Sequence, residues 1–135
     1  MATGAHETVV TEMEETLGMI PPPLDSIPQD DADVEWRTFE KYTVEETEIP
    51  AKYRELMGLA VAANIKCPYC THFHTEAAKM HGATDAELRE AYVLASFTSR
   101  YSAMLHAAQY DLDEFEEKVG EIGAHLQETM AADDD

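Results

Sequence analysis

Apolar residues recur along this chain at helical spacing. Val9, Met13 and Leu17 fall at i, i+4 and i+8 within Thr8 to Leu17, the pattern of a short amphipathic helix. Pro21-Pro22-Pro23 is expected to end helical structure there and to start an extended connection. Pro28 and the acids of Asp30-Asp31-Ala32-Asp33 signal a helix from Val34 to Val44, with Trp36, Phe39 and Tyr42 or Thr43 on one side. Glu45 to Ile49 reads as a polar linker closed by Pro50. Ala51 to Ile65 then reads as a helix burying Leu56, Leu59, Ala60 and Ala63. Pro68 opens another helix, running to about His81, with Gly82 as its left-handed stop. Thr84-Asp85-Ala86-Glu87 is a capping box for a helix through Leu88, Ala91, Tyr92 and Ala95. A break is expected at Phe97-Thr98-Ser99, before Tyr101 to Gln109. Asp111 or Asp113 caps a last helix, with Phe115, Val119, Ile122 and Leu126 expected inside.

After Pro68 only Val93, Val119 and Ile122 are valine or isoleucine, so no β-branched run exists to make strands. The expected fold class is all-α, about six helices in one domain over residues 1–135. That domain divides into an N-terminal helix and Pro-rich connection (1–30), a core (50–95) and an acidic tail (131–135). A length of 135 residues with 44% apolar composition suits a single core. No stretch is apolar for long enough to cross a bilayer, and Met1 to Val10 lacks the order of a signal peptide. A soluble, cytoplasmic protein is expected.

Charge changes the picture by its placement. The formal net charge is −19, yet residues 51–100 hold five acids and six bases, against 13 and two in residues 1–50 and ten and one in residues 101–135. Such a field repels nucleic acid and anionic membranes, so neither is an expected partner. Acid spread over both flanks, with only five lysines, points to a halophile-type surface. In a salt-rich cytoplasm screening shortens to about 3 Å at 1 M and self-repulsion is mild.

The near-neutral centre holds the only two cysteines, in Cys67-Pro68-Tyr69-Cys70, with His74 one turn beyond. A C-x-x-C pair with no other thiols reads first as redox-active or metal-binding. The motif also occurs in glutaredoxins, but that fold needs strands around the motif and a later proline, and no proline follows Pro68. Cys67 falls at the N-cap of the Pro68 helix and Cys70 in its first turn, where the helix dipole stabilises a thiolate. Their i, i+3 spacing allows a disulfide after modest adjustment. His74, at i+4 from Cys70, is placed to accept its proton directly or through water. From periodicity alone Glu55 is an exposed first-turn carboxylate favoured by the helix dipole. Zinc ligation by Cys67, Cys70 and His74, completed by His72, His81 or Glu55, is the competing reading, but the second ligand pair of structural zinc sites is missing. His72 stands roughly 200° around the helix from Cys70, outside the site. His6, His81 and His125 read as surface or helix-end residues, and His106 as a core or interface histidine. Met57, Met80 and Met104 read as core. Tyr69 either shields the cysteines or simply packs.

Taken together, Glu55, the run Leu56-Met57-Gly58-Leu59-Ala60-Val61-Ala62-Ala63, and Cys67-x-x-Cys70-x-x-x-His74 resemble the signature of the carboxymuconolactone decarboxylase superfamily. The closer resemblance is to its alkylhydroperoxidase AhpD-like members. His81-Gly82-Ala83-Thr84-Asp85-Ala86-Glu87-Leu88 is similar to the family's glycine turn and next helix start. The resemblance implies an AhpD-like bundle with the C-x-x-C at the N-terminus of a central helix. It implies a thiol-dependent peroxidase or dithiol–disulfide oxidoreductase acting on hydroperoxides or disulfides and recharged by an external thiol reductant. Cys70 would attack and become a sulfenic acid, and Cys67 would supply a proton and close the disulfide. Glu55 and His74 would form the proton relay. No cofactor and no metal are implied, and a homo-oligomer, trimer or hexamer, is. The better-studied peroxidase members carry a histidine between the cysteines where this chain has Tyr69. Members that decarboxylate the lactone lack the cysteine pair. The non-enzymatic alternatives are a zinc clip or a redox-sensing module.

Overall fold

Proline, glycine and one capping box set most of the helix limits. The computed structural model describes residues 2–133, with side chains for residues 7–131. Asp134 and Asp135, and with them the end of the expected acidic tail, lie outside the described residues, as does the His6 side chain. Seven helices occur among the described residues: α1 (Ala2–Leu17), α2 (Pro22–Asp25), α3 (Ala32–Thr43), α4 (Ala51–Ile65), α5 (Pro68–Met80), α6 (Asp85–Ala107) and α7 (Leu112–Asp133). The fold is all-α, as expected.

The seventh helix comes from the proline run, which does not stay extended. Pro22 and Pro23 occupy the first turn of α2, where the absent N–H groups would have no intrahelical partner. The expected break at Phe97-Thr98-Ser99 is also absent, and α6 runs unbroken for 23 residues. Two of its hydroxyls find partners while the helix stays intact: Ser96 Oγ donates to the Val93 carbonyl (2.7 Å), and Ser99 Oγ to Asn64 Oδ1 on α4. Residues 131–133 of the expected tail are the last turn of α7.

Two apolar clusters organise the chain. Val9, Met13, Leu24 and Trp36 join α1, α2 and α3, with Ile20, Ile27 and Phe39 at the edge. Leu59, Ala78 and Leu88 join α4, α5 and α6, with Leu56 and Ala83 beside them. Phe39 reaches Phe73 of α5 at 6.5 Å between centroids, so the first cluster abuts α5. Arg54 holds the α3–α4 linker against α4, donating to the carbonyls of Glu45 (2.8 Å) and Ile49 (3.1 Å). Asn64 Nδ2 donates to the Ala95 carbonyl at 2.9 Å and ties the end of α4 to α6.

Three burial expectations change. On α4 the buried stripe is Ala51, Glu55, Leu59 and Ala62. Ala63 is exposed. On α7, Phe115, Val119, Ile122 and Leu126 are exposed rather than inside, because that helix has no substantial packing against the others. Met57, Met80 and Met104 are exposed, and Met13 is the methionine that fills the core. No helix among the described residues is long and apolar enough to cross a membrane.

Candidate functional site

The site begins at a helix start. Pro68 takes the first position of α5, leaving Cys67 as N-cap in extended backbone. The Cys70 N–H donates to Cys67 Sγ at 3.2 Å, the bond an N-cap side chain makes with the third residue of a helix. Both cysteines are free and half-buried. Their protons are unequally held. The Cys70 thiol, followed by the Cys70 N–H, hydrogen bonds to Cys67 sulfur and holds the Cys67 thiol below its ordinary range. The same bond, with desolvation and the nearby Cys67 charge, pushes the Cys70 thiol up. Of the two thiols Cys67 is therefore the one that gives up its proton more readily, with Cys70 as S–H donor to its sulfur.

One turn further, His74 turns to α4. Its Nδ1 lies 2.7 Å from Glu55 Oε2, and Glu55 is 4% exposed, the one charged side chain in the core among the described residues. Glu55 is thus not the exposed first-turn carboxylate that periodicity favours. A buried carboxylate needs a partner, and His74 supplies it. With Glu55 ionised, Nδ1–H is the donor, so in a neutral ring Nε2 is left as the acceptor. Among the described residues His74 makes no direct hydrogen bond to Cys70. The structure assembles two pairs, Cys67–Cys70 at the start of α5 and Glu55–His74 between α4 and the next turn of α5, without a direct bond joining them.

The ring of His74 is placed by its surroundings. Phe73 stands edge-on to it at 5.1 Å between centroids. On α4 it lies against Gly58, where no side chain intervenes. Gly58 is a residue that sequence reasoning passed over, although a glycine inside an apolar helix is the available signal. A cavity of about 310 Å³ opens beside Glu55, lined among others by Leu17, Phe39, Phe73 and Ala77. A larger groove of about 670 Å³ on the other side of α4 runs between Met57, Val61, Leu94 and Ala95 and touches none of the four candidate residues. Tyr69 is 84% exposed and shields nothing within the chain. His72, His81, His106 and His125 are exposed, so His106 is not a core histidine here. No three His, Cys, Asp or Glu side chains among the described residues converge to hold a metal ion, which leaves the zinc alternative without a ligand set.

The sequence model of the carboxymuconolactone decarboxylase family matches residues 33–112. The chain belongs to this family. The matched span contains Glu55, Cys67, Cys70 and His74, and it stops where α7 begins. An alkyl hydroperoxide reductase of Mycobacterium tuberculosis is 31% identical over 86 residues. That alignment covers 62% of this chain and 25% of the relative, so the chain spans about a quarter of that protein's length. The crystal structure of the alkylhydroperoxidase AhpD core from Rhodospirillum rubrum matches with a TM-score of 0.68 at 25% identity, covering 81% of this chain and 83% of that one. This carboxymuconolactone decarboxylase family chain is therefore AhpD-like in fold.

Proposed function

We propose that the chain is a peroxidase-type oxidoreductase, a thiol-dependent enzyme that uses Cys67 and Cys70 as a redox dithiol. The observation that carries the reading is the buried Glu55 carboxylate bonded to His74, one turn beyond a polarised thiol pair. Two relatives named for alkyl hydroperoxide chemistry support it.

In the proposed cycle Cys70 passes its proton to Cys67 along their hydrogen bond. The Cys70 thiolate attacks the terminal oxygen of a hydroperoxide and the O–O bond breaks. Cys70 becomes a sulfenic acid, and the departing alkoxide takes the proton from Cys67. The Cys67 thiolate then attacks Cys70 sulfur and expels hydroxide, which leaves as water. His74, its Nδ1 held by Glu55, carries solvent protons to and from the pair. An external dithiol returns two electrons and two protons by exchange.

A second order of events, in which Cys67 attacks a disulfide substrate first, is favoured by the Cys67 thiol being held below its ordinary range while it accepts from the Cys70 N–H. Single serine variants separate the two. With a hydroperoxide, Cys67→Ser should accumulate a sulfenic acid at Cys70 that a selective nucleophile traps, and Cys70→Ser should abolish turnover. Trapping at Cys67 in Cys70→Ser instead would reverse the roles, and undiminished turnover in both variants would end the mechanism.

Assembly belongs to the same proposal. The apolar stripe of α7 and the apolar groove between α4 and α6 are both exposed, and large exposed apolar faces mark interaction surfaces, which supports a homo-oligomer.

A further inference from the structure

Three glycines lie inside helices of the described residues away from their ends, and they stand in different surroundings. At Gly120 and Gly123 on α7, an added Cβ would meet nothing within 4 Å. At Gly58 on α4 it would come within 2.5 Å of His74 Nδ1 and 2.7 Å of Nε2, and closer still to Cε1. These separations are inside the 3.0 Å below which Cβ atoms are essentially never found, and the neighbour is the imidazole ring itself. Gly58 follows Glu55 by three residues, so carboxylate and notch lie on one side of α4, opposite one ring. Glycine inside a helix is less favourable than alanine, so α4 carries a local cost at this position.

We propose that Gly58 is a positioning residue of the thiol site, its missing side chain being the space in which the His74 ring lies to reach Glu55. The ring is joined to its backbone by two rotatable bonds, so a methyl group at position 58 is relieved by swinging the ring away. That movement gives up the 2.7 Å bond to Glu55, which stays buried without its partner. The catalytic consequence rests on the dithiol reading given above, whereas the steric one does not.

The test is a double-mutant cycle of Gly58→Ala with His74→Ala on the full chain, read by hydroperoxide turnover and by the ¹⁵N shifts of the His74 ring. Gly58→Ala should lose the shift pattern of a carboxylate-bonded Nδ1. Its turnover should fall by roughly 10²-fold, the scale of a misplaced catalytic group, and match His74→Ala. Once the ring is gone the methyl group has room, so the double variant should fall no further than His74→Ala alone. Parent-like shifts and turnover in Gly58→Ala would overturn the proposal, as would a loss that adds in full to that of His74→Ala. If Gly58→Ala fails to fold while the double variant folds, the collision with His74 is established by that rescue. If both fail, the glycine serves the backbone and the proposal is wrong. Lost ring shifts in a chain whose parent shows no turnover would leave the positioning role standing and remove only the redox reading.

Discussion

The stripes of α4 and α7 have nearly the same spacing and opposite fates. Ala51, Glu55, Leu59 and Ala62 lie at i, i+4, i+8 and i+11 and are buried. Phe115, Val119, Ile122 and Leu126 lie at i, i+4, i+7 and i+11 and are exposed, Ile122 to 59%. By hydrophobicity the second is the better core stripe. What separates them is cover. Short connections at residues 66–67 and 81–84 return α5 and α6 onto α4, whereas α7 leaves α6 with no substantial packing on it. The buried stripe can also admit a carboxylate, because its small residues let α5 approach and His74 meets the charge. A helical period therefore reports that a face needs a partner, and the chain's path decides whether that partner lies within the same molecule.

The two stripes differ most at Glu55, the carboxylate that α4 buries. Glu55→Gln keeps a hydrogen-bonding side chain of similar shape but removes the charge that orients His74. Hydroperoxide turnover should fall by about 10²-fold while the fold survives, measured by steady-state kinetics beside circular dichroism. Unchanged turnover would reduce Glu55 to a packing residue.

On α7, the expected effect lies in assembly. Val119→Asp with Ile122→Asp should lower the molecular mass in sedimentation while thermal stability of the individual chain stays nearly unchanged. Each large aliphatic side chain is worth about 1.5–3 kcal/mol only when buried. A parent chain that is already monomeric, or an acidic variant that keeps the parent mass, would show that α7 covers nothing.

A smaller effect belongs to the ion pair that joins the core helices. Glu87 accepts from Lys52 at 2.7 Å, from the Thr84 N–H and from the Thr84 hydroxyl. Chiefly through Lys52, its carboxyl is lowered from 4.5 to about 2. A depressed carboxyl stabilises the fold above its unfolded value and loses that contribution as pH falls. The Glu87 share should fade between pH 4.5 and about 2. Urea melts of Glu87→Gln and the parent should converge across that window, and equal separation at all pH values would contradict the assignment.

Much of the core was legible because its signals are local. Pro50 and Pro68 start α4 and α5, Gly82 adopts φ 84°, and the Thr84–Glu87 capping box forms in both directions. Cys67 as N-cap with Cys70 in the first turn was legible for the same reason. Burial of Glu55 was not, since only its partner on α5, 19 residues away, makes it affordable. The charge distribution within the thiol pair was equally hidden: i, i+4 spacing pointed His74 at Cys70, whereas its hydrogen bond goes to Glu55. The continuity of α6 escaped because Ser99 finds Asn64, a contact across 35 residues. The stripe of α7 was read correctly as a stripe and wrongly as interior.

If Cys67 and Cys70 act as one two-electron unit, the two thiols must be consumed as a pair, and they can be counted. Free thiols of the parent chain are titrated before and after one equivalent of an alkyl hydroperoxide, with the mass of the product recorded. Both thiols should disappear together, the mass should fall by two hydrogens, and a dithiol should restore both. Loss of a single thiol with a gain of oxygen, or two thiols untouched while the hydroperoxide persists, would contradict it.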